Sequence, residues 1–120
     1  MAANEDGGAP GHTPGGAFRV QLAMRIHPGR EQEFEQAWSA GAAVVAGQPA
    51  NLGHSLARSS EDPSLYHITS EWEDEAAFRR FEDSPVHLEH RSKLHPYRSE
   101  GSMSTMTVVY GLGPAAARRR

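Results

Sequence analysis

Apolar and polar residues alternate strictly from Phe18 to Ile26. Phe18, Val20, Leu22, Met24 and Ile26 fall on one side, with Arg19, Gln21 and Arg25 between them. A period of two sustained over this length predicts a strand with one buried face. His27-Pro28-Gly29 ends it, since proline has no N–H to give to a ladder. From Arg30 the period changes. Phe34, Trp38, Ala42 and Val45 recur every three or four residues, the stripe of an amphipathic helix. Glu31 and Glu33 lie in its first turn, where the helix dipole favours acids, and Gly47-Gln48-Pro49 closes it. A second strand is expected at about Leu52 to Arg58, with Leu52, His54 and Leu56 on one face. Ser59 to Ser64 is turn chemistry. A third strand then runs from Leu65 to Trp72. Tyr66, Ile68, Ser70 and Trp72 face one way; Leu65, His67, Thr69 and Glu71 face the other.

Asp74 is placed to cap a short helix that carries Phe78 and Phe81 inward. Ser84 and Pro85 supply the cap and first position of another helix, Pro85 to about Leu94, with Val86, His90 and Leu94 on one face and Arg91 beside them. His95-Pro96-Tyr97 stops it, and Met103 to Tyr110 reads as a fourth strand. The short second connection makes strands two and three an antiparallel hairpin. With right-handed crossovers, β-α-β-β-α-(α)-β folds most simply as α+β: a ferredoxin-like βαββαβ unit, a four-stranded antiparallel sheet with its helices on one face. The other sheet face carries Arg19, Gln21 and Arg25, so it is either solvated or closed against a partner.

Composition narrows the possibilities. A chain of 120 residues implies one domain with little volume for a deep private pocket. The net charge is −3, with acids and bases interspersed, which argues against a nucleic-acid surface. The absence of cysteine removes disulfides, thiolate zinc sites and cysteine nucleophiles. No run approaches the ~18 consecutive apolar residues of a membrane span. Residues 1–16, rich in Gly, Pro and Ala, lack the basic start and apolar centre of a secretory signal and are expected to be a disordered leader. Residues 114–120, ending in three arginines, are expected to be a disordered tail. The folded domain is then 17–113, and the expected location is the cytoplasm.

Glu71-Trp72-Glu73-Asp74-Glu75-Ala76-Ala77-Phe78, followed by Ser84-Pro85-Val86-His87 and Arg91, resembles the antibiotic-biosynthesis monooxygenase family. The family pattern is a strand ending in Trp, an acidic helix start with Ala-Phe or Ala-Tyr, a short break and a further helix. The resemblance extends from about Phe18 to Leu112. It implies a homodimer in which two sheets form a dimeric α+β barrel, each subunit holding a pocket between its sheet and helices. It also implies oxidation of polycyclic aromatic polyketides, phenol or anthrone to quinone, without metal or flavin and with O2 as co-substrate. In such relatives the Trp and an Arg of the later helix contact the substrate; the matching positions are Trp72 and Arg91. Ile68 stands where quinone-forming members often carry Asn, and Phe78 where some carry Tyr. The haem-degrading branch of the superfamily uses an axial His and a first-strand Asn, where this chain has Arg91 and about Leu22.

Cofactor-free oxidation needs a base, a group that stabilises the resulting anion, and exclusion of water. Among seven histidines, His90 is the leading base because it shares a helix face with Leu94; His67 and His54 stand behind it. Arg91 would hold an oxyanion through its fork of donors, and Trp72 would stack on a flat ring. Ile68, Tyr66, Phe78, His54 and His67 are the expected substrate-binding residues. His87 and His90 lie three apart, yet no His-Glu-x-x-His pattern accompanies them, so no metal is expected. No Gly-x-Gly-x-x-Gly follows the first strand, and no nucleophile-elbow serine is present. Two alternatives keep the fold: an aromatic polyketide cyclase, and a non-catalytic ligand-binding or auxiliary dimer.

Overall fold

The alternation at Phe18–Ile26 forms β1, and its two ladders organise the sheet. In the computed structural model, which describes residues 16–112, β1 is followed by α1 (Glu31–Ala46), β2 (Asn51–Arg58), β3 (Leu65–Trp72), α2 (Glu75–Glu82), α3 (Pro85–Leu94), a short 3-10 turn (His95–Tyr97) and β4 (Arg98–Thr107). The strand order is β2-β3-β1-β4, every neighbouring pair antiparallel, as expected of a ferredoxin-like α+β unit. The expected leader lies outside the described residues except for Gly16, and the expected tail and Gly113 lie wholly outside them.

Local chemistry accounts for the boundaries. Gly29 adopts φ +90° in the turn after β1, a conformation that side chains with a Cβ rarely take. The Glu31 carboxylate accepts a hydrogen bond from the Gly29 N–H, 2.9 Å away, satisfying a donor at the start of α1. Asp74 caps α2 by accepting from the Ala77 N–H at 2.8 Å. Ser84 caps α3 by accepting from the His87 N–H at 3.2 Å, with Pro85 at the first helical position.

The helices cover the face of the sheet that carries Phe18, Val20 and Trp72, and the core beneath them is divided in two. One cluster joins Phe18, Val20 and Trp72 to Val45 of α1 and Phe78 and Phe81 of α2. The other joins Ile26, Tyr66 and Ile68 to Phe34 and Trp38 of α1 and Leu94 of α3. The opposite sheet face carries the ion pair of Arg19 with Glu71, residues that the register places side by side on β1 and β3.

Two expectations need correction. The fourth strand begins five residues earlier than its β-branched run suggests and stops at Thr107. Met24, Arg25 and Ile26 of β1 pair with Gly101, Glu100 and Arg98, so backbone ladder bonds draw a polar stretch into the strand whatever its hydropathy. Val108 leaves the strand but stays buried and donates its N–H to the Ala17 carbonyl, while Val109 and Tyr110 are exposed. On α3, Val86 is 42% exposed and does not share the inward face. At 3.6 residues per turn, Val86 lies about 80° around the helix from Leu94, and His87 takes the inward place instead.

Asp74→Ala should lower stability by about 1 kcal/mol, the usual worth of an N-cap side chain, with an unchanged urea m-value. Urea unfolding followed by circular dichroism reads both quantities.

Candidate active site

Ser70 occupies the gap between the two apolar clusters. On the inward side of β3 the order is Tyr66, Ile68, Ser70, Trp72, and only Ser70 is small and polar. Its hydroxyl, 8% exposed as a residue, accepts a hydrogen bond from Trp72 Nε1 at 3.1 Å. The register sets His54 of β2 on one side of Ser70 and Val20 of β1 on the other, all three facing the helices. A cavity of about 340 Å³ opens there, within the roughly 300–1,000 Å³ of small-molecule sites.

The cavity has two kinds of wall. Val20, Leu22, Ile68, Trp72, Phe78 and Phe81 make an apolar one. Trp72 is 1% exposed and stacks on Phe81, ring centroids 5.0 Å apart, so one face of its indole is already occupied within the protein. Phe78 is tilted against both Trp72 and Phe18 at 5.8 Å, with the Arg79 guanidinium 5.3 Å from its ring centre. The polar wall includes His54, His87 and His90 together with Glu82, His95 and Arg98, with Arg91 exposed at the rim. His54 stacks on Trp38 at 4.8 Å, and His87 meets the edge of Phe81 at 5.0 Å.

These imidazoles are poorly satisfied. Both nitrogens of His54, Nδ1 of His87 and Nε2 of His90 are buried without a hydrogen-bond partner in the protein. Burial, and then the neighbouring His90, pushes His54 down to about 4. Burial also lowers His87, opposed by Glu82 and reinforced by Arg91. His90 is lowered by burial, then by His87 and Lys93. All three rings are therefore neutral at pH 7, each with one nitrogen able to donate and one to accept.

Six of the expected site residues meet around this cavity: His54, Ile68, Trp72, Phe78, His90 and Arg91. Two do not. His67 is on the far face of the sheet and exposed, because successive residues of a strand point to opposite sides and Ile68 takes the cavity side. Tyr66 faces the helices but lies two residues beyond Ile68, away from the cavity. Its hydroxyl donates to Glu35 at 2.5 Å in a separate groove between α1 and β2, where Arg58 also reaches Glu35 at 3.5 Å. His87, weighed in the sequence only as half of a metal pair with His90, is not among the expected site residues; the helical spacing 87-90-94 counted back from Leu94 places it on the inward face. Trp38, expected only as core, is buried and also lines the cavity.

Among the described residues, no group of three or more His, Cys, Asp or Glu side chains is arranged to hold a metal ion, and no helix is long and apolar enough to cross a membrane. The fold and cavity together define an α+β domain built around a small-molecule pocket with aromatic and neutral-imidazole walls. The chain belongs to the antibiotic biosynthesis monooxygenase family, whose model matches residues 17–93. It is similar to the 42.8 kDa protein in whiE locus of Streptomyces coelicolor, 36% identical over 75 residues that cover 62% of this chain and 19% of that protein. Protein SchA of Streptomyces halstedii is 35% identical over 83 residues, 69% of this chain and 22% of that protein. The chain thus spans about a fifth of the length of these two relatives. Among solved structures it resembles SnoaB, a cofactor-independent oxygenase from Streptomyces nogalater, with a TM-score of 0.71 and 27% identity over 78% of this chain and 93% of that one.

The lowered His54 has a consequence for stability. Its folded form resists protonation, whereas the unfolded chain takes up a proton near the ordinary histidine pKa. Stability therefore falls as pH drops from about 6.5 toward 4 and is complete above that window. His54→Phe should flatten the slope of the urea midpoint between about pH 6.5 and 4.5, above the range where carboxylates dominate. An unchanged slope would mean that His54 titrates normally in the folded protein.

Proposed function

We propose that this chain is a cofactor-independent monooxygenase that oxidises a polycyclic aromatic polyketide, a phenol or anthrone-like ring, to a quinone. One observation carries the reading: an aromatic-walled cavity faces a row of half-buried, uncharged imidazoles, each with at least one buried nitrogen that has no partner within the protein. Family membership and the likeness to a cofactor-independent oxygenase support it.

His90 is the base in this reading. Its lowered basicity keeps the ring in its proton-accepting form at neutral pH, at the cost of some driving force for the transfer. The phenol gives its proton to His90, leaving an electron-rich anion beside a new imidazolium. Arg91, at the rim, adds a fixed positive fork for the oxyanion. The apolar wall holds the rings and keeps bulk water from quenching the anion. The anion then reduces O2. When a ring CH2 becomes C=O, one oxygen atom enters the product and the other leaves as water, so substrate supplies all four electrons and no further reductant is needed. A homodimer, its exposed sheet face closed on a second copy, and a cytoplasmic location complete the proposal.

A second reading, a ligand-binding protein without turnover, is favoured by the hydrocarbon that Ile68 and Phe78 present to the cavity where relatives of the quinone-forming kind often carry Asn and some carry Tyr. A cyclase of the same fold would need the pocket and one acid–base group but no oxygen.

Oxygen uptake separates these readings. Metal-stripped protein given an anthrone-type phenol should consume one O2 per quinone formed. His90→Gln should slow uptake by roughly 10²-fold, the lower end of what a general base contributes. Arg91→Ala should weaken it as well. Trp72→Phe is the suitable variant at the apolar wall, since Trp→Ala in a core costs about 3–5 kcal/mol and would confound folding with function. Phenol that binds with no uptake would overturn the oxygenase reading for that substrate class.

A further inference from the structure

Glycine inside a helix costs about 1 kcal/mol relative to alanine, through the backbone freedom it loses on folding. Gly41 lies well within α1, among Ala40, Ala42 and Ala43, where another alanine would continue the run. Its backbone does not use glycine's special freedom: among the described residues only Gly16 and Gly29 have positive φ. Space, not conformation, is what this position requires.

The space is occupied by His90. A β-carbon added to Gly41 would fall 2.2 Å from His90 Nδ1, 2.5 Å from Cε1 and 3.2 Å from Cγ. Carbon atoms in contact normally lie about 3.5–4.0 Å apart, so no side chain of any size fits while the imidazole keeps this orientation. The ring packs against the bare backbone of α1 with its Nδ1 edge. Its other nitrogen, Nε2, is buried without a protein partner, and His90 lines the cavity.

We propose that Gly41 is a positioning residue: it leaves the slot on α1 that seats the His90 ring and so presents Nε2 to the cavity. The inference rests on the assignment of His90 as the base. It adds a residue of α1, remote from the family motif, to those that set the geometry of proton transfer. At its observed position the ring also answers to His54 of β2 and to His87 and Lys93 of its own helix. A flexible side chain escapes a clash more cheaply than a helix backbone does. Alanine at position 41 should therefore expel the imidazole and leave the helix intact.

Gly41→Ala should thus separate stability from function. The variant should unfold at an equal or higher urea concentration than the parent, because alanine is the better helix former. At the same time the displaced His90 ring should lose its burial. Its titration, followed by NMR of the ring-labelled histidines and assigned with His90→Gln, should move up toward the ordinary histidine value. Oxidation should fall by roughly 10²-fold, as expected of a misplaced reacting group. Once His90 is already alanine, adding Gly41→Ala should change no residual activity. A folded Gly41→Ala protein with an unshifted His90 titration would overturn the proposal, as would an equal proportional loss of activity in the His90→Ala background. If Gly41→Ala alone fails to fold, refolding of the Gly41→Ala/His90→Ala pair would establish the steric slot, and failure of that pair would refute it. The titration needs neither substrate nor oxygen, so it remains decisive even if the protein oxidises nothing.

Discussion

The rest of the molecule depends on how β3 is held. It is paired on both sides, with β1 and with β2, and the side chains of its inward face are therefore fixed in register against both neighbours. Three of the four are large and buried; the fourth, Ser70, is small. Large residues on either side of Ser70 build the two apolar clusters, and the missing volume between them becomes the cavity. A leucine at that position would put hydrocarbon between the two clusters and narrow the cavity. One small side chain in a doubly paired strand thus helps to keep the pocket open, and the other strands and the three helices supply the rest of its walls.

Placing histidines around that gap works against stability. A buried imidazole without a partner loses hydration and gains nothing in return, which is why all three rings are driven toward the neutral state. The protein contains them by packing: His54 lies on Trp38, His87 meets Phe81, and His90 lies against the bare backbone at Gly41. Each ring is therefore oriented by its face or edge, while nitrogens that could hydrogen-bond are left for whatever enters the cavity. Polar groups buried in this way are characteristic of sites where binding or chemistry, not folding, set the choice of residue.

The outer face of the sheet obeys different rules. Arg19 and Glu71 pair across neighbouring strands, and β4 extends beyond the cover of the helices, leaving Met103 46% exposed although its register places it on the inward face. The helices therefore enclose the cavity unequally. It is walled on the β2 and β3 side by α1 and α3 and flanked on the other by Gly101, Ser102 and Met103 of the edge strand β4.

Much of this was legible in the chain. The alternation in β1 and β3, the stripe of α1, and the caps at Asp74 and Ser84 all depend on residues close in sequence, and such patterns act locally. The family motif brought Trp72 and Arg91 forward by resemblance, and the strand face shared by Ile68 and Trp72 was correct. The misplacements had physical causes. The polar start of β4 joins the sheet because β1 offers it a ladder, Val86 drifts off the helix face because 3.6 does not divide eight, and His67 belongs to the side of the pleat away from the helices. What the sequence by itself determined, then, was which residues share a face. Only the tertiary structure decided which faces meet, and how completely. His54 and His90 stand at one cavity because sheet pairing and helix packing bring β2 and α3 together, and Gly41 matters because α1 passes so close to His90 that a single carbon atom would not fit.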